Sequence, residues 1–118
     1  MKLHQIDVEQ STRHVRVEVD GVVVAESRRP RILSETGAPA RYYLPREDVR
    51  MDLLTPTDSS TYCPFKGDAS YWSLRVGEQT YPDIVWSYVD PKPERADIAG
   101  LVCFYNEKVD LYLDDERQ

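Results

Sequence analysis

Cys63 and Lys66 carry the most reactive side chains of the stretch Thr61-Tyr62-Cys63-Pro64-Phe65-Lys66-Gly67-Asp68-Ala69-Ser70-Tyr71-Trp72. A thiol beside cations such as Lys66 and Arg46 is more readily deprotonated and becomes a better nucleophile. A lysine amine holds an anionic group or, once desolvated, acts as a nucleophile itself. Each residue also has a plainer reading: cysteine is among the residues most often buried inertly, and a turn lysine is usually just solvated. Neither histidine, His4 or His14, stands near Cys63 in sequence to serve as its base. Cys103, between Val102 and Phe104, reads as a core residue.

Binding chemistry is spread more widely. Arg41 and Arg46 flank Tyr42-Tyr43, and an arginine fork beside aromatic rings suits a planar carboxylated or phosphorylated ligand. The alternative is a pair of surface arginines whose stems cover the tyrosines. Tyr43, Tyr71, Trp72, Trp86 and Tyr88 supply rings for a pocket wall. Because strand side chains alternate, Tyr71 and Trp72 face opposite ways and only one of them lines a given cavity.

The elements that must position these groups are mostly strands. Residues His14 to Val19 alternate with a period of two, Asp20-Gly21 is a preferred hairpin turn, and Val22 to Ser27 returns. Arg28-Arg29-Pro30-Arg31 reads as a charged, solvated strand edge leading into Ile32 to Glu35. Arg41 to Leu44 is a short strand, and Pro45 begins a helix of one or two turns. Pro56 to Ser60 is turn-rich. Cys63 precedes proline and is biased to extended backbone, while Gly67 permits a sharp reversal into the strand Ala69 to Val76. Asp90-Pro91-Lys92-Pro93-Glu94 is a rigid loop, and Leu101 to Tyr105 with Val109 to Leu113 reads as a closing hairpin. The pattern predicts a mainly β fold, a small single domain whose short antiparallel strands curl into a barrel or a two-sheet sandwich with one or two short helical turns. Residues 1–12 read as a polar leader and 114–118 as an acidic tail.

Composition removes several function classes. The 118 residues carry 15 basic against 21 acidic side chains, a net charge of −6, which disfavours phosphate backbones and anionic lipid. No nucleic-acid or membrane partner is expected, and the start of the chain lacks an apolar signal core, so a cytoplasmic protein is expected. No metal and no cofactor are expected: the two cysteines form no C-x-x-C pair, and no Walker-type glycine loop is present.

Taken together, Glu35-Thr36-Gly37, Arg41 to Val49, Cys63 to Gly67 with Tyr71-Trp72, Trp86-Ser87-Tyr88 with Pro91 and Pro93, and Gly100 with Phe104-Tyr105 resemble a bacterial and fungal family catalogued as domain of unknown function 427. The resemblance runs from about Val15 to Asp114 and implies a compact, mainly β fold. Some members carry a nucleotidyltransferase label, but this chain has no Gly-Ser followed by an Asp-x-Asp pair to hold Mg²⁺. Three functions therefore stand in order. The first is a small-molecule site for an anionic or aromatic ligand around Cys63 and Lys66, open to catalysis. The second is a non-catalytic β-module that forms a homodimer or binds a protein partner, and the third is nucleotidyl transfer.

Overall fold

The structure, a computed structural model, describes residues 3–118; Met1 and Lys2 of the polar leader lie outside the described residues. The strands are β1 (Ile6–Gln10), β2 (Val15–Val19), β3 (Val22–Ser27), β4 (Arg31–Glu35), β5 (Arg41–Leu44), β6 (Leu54–Cys63), β7 (Gly67–Val76), β8 (Gln79–Ser87), β9 (Val102–Phe104), β10 (Asp110–Leu113) and β11 (Glu116–Arg117). Helical structure is limited to short 3₁₀ turns, at Arg46–Asp48, Met51–Leu53, Pro93–Ile98 and Asn106–Lys108. The fold is mainly β, as the alternation predicts, and it forms two antiparallel sheets rather than a closed barrel.

A seven-stranded sheet runs β1-β4-β5-β9-β8-β7-β6, and a four-stranded sheet runs β11-β10-β2-β3. The main core lies between them. Val15, Val17 and Val19 of β2, with Leu111 and Leu113 of β10, meet Leu44, Trp72, Leu74, Val85, Val102 and Phe104 of the larger sheet. The larger sheet buries a second cluster on its other face, formed by Leu33, Tyr43, Ala69, Tyr71, Trp86, Tyr88, Ile98 and Cys103. A sheet covered on both faces reads as near-continuous apolar runs, which is why Ile84 to Trp86 and Val102 to Phe104 show no alternation of polarity.

The β2–β3 hairpin turns at Asp20-Gly21, with φ of 52° and 77°, the left-handed pair a tight two-residue turn requires. Other local expectations are corrected. Leu101 to Tyr105 and Val109 to Leu113 do not form a hairpin: β9 inserts between β5 and β8, the turn at Asn106–Lys108 carries the chain across, and β10 pairs with β2 in the other sheet. Two apolar runs joined by a short turn satisfy either arrangement, and burial of Leu111 and Leu113 against β2 decides it. Arg31 does not begin an edge, because β4 is paired on both sides, with β1 from within the polar leader and with β5. The turn-rich Pro56 to Ser60 lies inside β6, where the ladder to β7 breaks between Pro56 and Ser60. There the Thr57 and Ser59 hydroxyls donate to Asp83 of β8 at 2.6 and 2.5 Å, so side chains replace the missing backbone ladder.

Candidate functional site

The outer face of the larger sheet carries one cross-strand row of side chains. Register pairs Tyr43 of β5 with Cys103 of β9, Cys103 with Trp86 of β8, and Trp86 with Tyr71 of β7. Directly opposed residues project from the same face, so three aromatic rings form a floor over the small Cys103 thiol. The period-two neighbours of this row add the walls: Arg41 two residues before Tyr43, Tyr88 two after Trp86, and Tyr105 two after Cys103. Together with Glu35, Ala38, Pro39 and Lys66 they enclose a concavity of about 240 Å³.

Lys66 reaches this face from the turn between β6 and β7. Its backbone N–H closes the turn on Cys63 O at 3.2 Å, and its carbonyl accepts from Lys92 N–H at 2.8 Å. Gly67 follows with φ of 113°, and a Cβ there would stand 3.3 Å from the Lys92 nitrogen and 3.5 Å from Pro91 Cα. The rigid Pro91-Lys92 segment therefore seats against the one residue that presents no side chain, and this contact fixes where Lys66 starts. From there the Lys66 ammonium donates to Glu35 Oε1 at 2.7 Å, and it lies 3.7 Å from Cys63 Sγ and 6.0 Å from the Tyr88 ring centroid. Glu35 is held from its other oxygen by His4 Nε2 at 3.1 Å, and the His4 ring stacks on Phe65 with centroids 4.1 Å apart.

The opposite wall is Arg41. Its guanidinium donates to both carboxylate oxygens of Glu107 at 2.7 and 3.3 Å, and it lies 5.2 Å from the Trp86 ring and 5.6 Å from the Tyr105 ring. Burial works to lower the Arg41 pKa, and the hydrogen bonds to Glu107 together with the charge interactions with Glu107, Cys103 and Tyr105 more than offset it. Glu107 is in turn held below the usual carboxylate range, chiefly by its bonds to Arg41. Behind the floor, Trp86 Nε1–H donates to the Tyr43 hydroxyl at 3.2 Å, with the rings edge to face at 85°. Burial pushes the phenols of Tyr43 and Tyr88 well above their ordinary value, and pushes Tyr105, which also neighbours the Tyr71 hydroxyl, up to about 12. All three are neutral hydrogen-bonding phenols at physiological pH.

Arg41, Tyr43, Lys66, Tyr71, Trp86 and Tyr88 thus converge on one concavity. Arg46 and Trp72 go elsewhere: Trp72 faces the core between the sheets, and the Arg46 guanidinium covers its ring at 5.5 Å while Nε donates to Gly100 O at 3.4 Å. Cys63 is half-buried at the rim, touching the site through Lys66. Cys103 is fully buried under the floor, and burial raises its thiol pKa. Four lining residues are not among the named sequence candidates: Glu35, Ala38, Pro39 and Tyr105, the last standing only in the wider set of rings in the second half of the chain. For Glu35 and Tyr105 a local signal exists, since each stands two residues beyond an apolar strand residue of the same face, Leu33 and Cys103.

What the arrangement offers chemically is an aromatic-lined slot between two ion pairs. An ammonium has three donors and a guanidinium five, so Lys66 and Arg41 keep N–H groups to give after bonding Glu35 and Glu107. No group of three or more His, Cys, Asp or Glu side chains among the described residues is arranged to hold a metal ion. No helix among the described residues is long and apolar enough to cross a membrane.

Comparison with curated proteins finds no match. A family model described as a domain of unknown function, DUF427, matches residues 7–115, and the chain belongs to that family.

Proposed function

We propose that the protein binds a small aromatic acid in the concavity on the outer face of the larger sheet. The observation that carries this reading is the row Tyr43–Cys103–Trp86–Tyr71 with Arg41 and Lys66 at its two sides. Ligand sites are mostly apolar with a few fixed polar groups, and typical volumes run from about 300 to 1,000 Å³. A concavity of about 240 Å³ suits one ring and its carboxylate. The ring would lie against Trp86 and the tyrosines, and the carboxylate would take the remaining donors of Lys66 or Arg41 in charge-assisted bonds.

The test is calorimetric titration with 4-hydroxybenzoate and, separately, phenol. The acid binds at a single site and more tightly than phenol, and Lys66→Met and Arg41→Gln each weaken it by about tenfold or more, from a charged hydrogen bond's roughly 1.5–3 kcal/mol. Equal affinity for the acid and phenol, unchanged in both variants, overturns the reading.

Catalysis at Cys63 or Lys66 rests on their separation of 3.7 Å at the rim, and binding is its precondition. The self-association reading draws less support, because Trp86, an aromatic residue that such an interface would use, is 6% exposed and lines the concavity, leaving Tyr62 and Phe65 as the exposed rings. Nucleotidyl transfer draws least: Glu35 and Glu107 are each bonded to a basic side chain rather than grouped to hold Mg²⁺.

A further inference from the structure

Tyr71 and Tyr105 line two cavities at once. On one side is the aromatic slot, and on the other a more open compartment of about 410 Å³, walled by Ser59, Thr61, Asp83 and Lys108. The two differ in chemistry. The slot presents aromatic rings, the cations of Lys66 and Arg41 and the Glu35 carboxylate, whereas the second compartment adds serine and threonine hydroxyls, the Asp83 carboxylate and the Lys108 ammonium to the two shared phenols. Asp83 is set there by its backbone, with φ of 52° and its N–H donating to Ser73 Oγ at 3.2 Å. Its carboxylate accepts one bond on each oxygen, from Thr57 and Ser59, which leaves a further acceptor site on each. Those bonds from Ser59 and Thr57 hold it below the usual carboxylate range, so it is ionised at physiological pH. The Thr61 hydroxyl lies 2.8 Å from the Tyr71 hydroxyl, and Lys108 Nζ lies 4.9 Å from the Tyr105 ring.

We propose that the full ligand is an aromatic acid bearing a vicinal-diol substituent, such as an aryl glycoside, with its ring in the slot and its diol on Asp83. A carboxylate with one free acceptor site on each oxygen matches two adjacent hydroxyl donors, and the neighbouring serine and threonine hydroxyls serve the remaining sugar oxygens. Lys66 and Glu35 line only the slot, so an acid group held there leaves the ring's other end at Tyr71 and Tyr105, the two phenols that both compartments share. This inference rests on the aromatic-acid reading of the slot and adds the chemistry of the attached group.

The test compares calorimetric affinities for 4-hydroxybenzoate and for its phenolic β-D-glucoside. The glucoside binds at least about tenfold more tightly than the bare acid, and Asp83→Asn brings the ratio of the two affinities close to one. Asparagine tolerates the left-handed backbone, and Ser59→Ala lowers the same ratio without touching that position. Binding of the bare acid with no gain from the sugar, or a gain that survives Asp83→Asn, overturns this inference alone. Failure of both compounds to bind overturns the reading of the slot and this inference with it.

Discussion

Lys66 and Glu35 form a 2.7 Å ion pair with side chains only 10% and 17% exposed, although β5, β9 and β8 lie between β4 and β7 in the sheet order. Two side chains from opposite sides of three intervening strands meet only if the sheet curls towards its outer face. The pair therefore closes one end of the concavity as well as supplying its charge. Burying an ion pair is stabilising only with good geometry and further hydrogen bonds; here the Lys66 ammonium also donates to Cys63 Sγ, and the His4 ring nitrogen lies 3.1 Å from the second Glu35 oxygen.

Gly67→Ala tests whether the Pro91-Lys92 segment sets the Lys66 turn. The φ of 113° and the 3.3 Å approach to the Lys92 nitrogen both oppose a Cβ, and backbone strain of this kind costs about 1–3 kcal/mol. Urea unfolding is expected to show an unfolding free energy lower by that order, read as a lower midpoint with an unchanged slope. Gly21→Ala, where a Cβ meets nothing within 4 Å, carries only the φ penalty and serves as the comparison.

Alkaline pH is expected to destabilise the protein. Burial raises the pKa values of Tyr43, Tyr88, Tyr105 and Cys103 above ordinary values of 10.0 for tyrosine and 9.0 for cysteine. Above those ordinary values the unfolded chain has released its protons while the folded chain keeps them. Stability is therefore fully present below about pH 9 and falls as the pH rises, through about 12 for Tyr105. Melting temperatures recorded from pH 8 to 11 check this, and Tyr43→Phe flattens part of the decline while lowering stability at pH 8 by about 1–3 kcal/mol, because Trp86 Nε1–H loses its acceptor.

The two thiols separate cleanly. Cys103 is 0% exposed with its thiolate disfavoured, and Cys63 is half-buried at the rim. Alkylation of the native protein, read by peptide mass, is expected to label Cys63 and to leave Cys103 unmodified until the chain unfolds. A saturating aromatic acid slows labelling of Cys63, because Lys66 stands 3.7 Å from its sulfur. Equal rates for the two thiols would contradict this placement.

The fold class was legible because alternation and turn chemistry are local. The Asp20-Gly21 hairpin follows from neighbouring residues alone. The site was half legible for the same reason: Arg41 with Tyr43, and Trp86 with Tyr88, share a face by a period of two. Their assembly was not. The row Tyr43–Cys103–Trp86–Tyr71 depends on β9 entering between β5 and β8, a long-range pairing with no local signal. That insertion also turned the expected closing hairpin into a crossover between sheets. Arg46 was read with Arg41 because both flank the same tyrosines, yet the turn at Arg46–Asp48 takes it over Trp72 on the other face. Proline and serine at Pro56 to Ser60 looked like a turn because their hydroxyls and missing N–H oppose a regular ladder, and β6 absorbs them as an irregularity held by Asp83.

The most direct measurement of the central claim is the two indole N–H resonances in a heteronuclear NMR titration with 4-hydroxybenzoate. Trp86 floors the concavity and Trp72 lies in the core behind the sheet, so each serves as a control for the other. A saturable shift of the Trp86 signal, with Trp72 nearly still and with the effect lost in Lys66→Met, is the predicted result. A titration in which neither signal moves at millimolar acid, or in which Trp72 moves instead, would contradict the account.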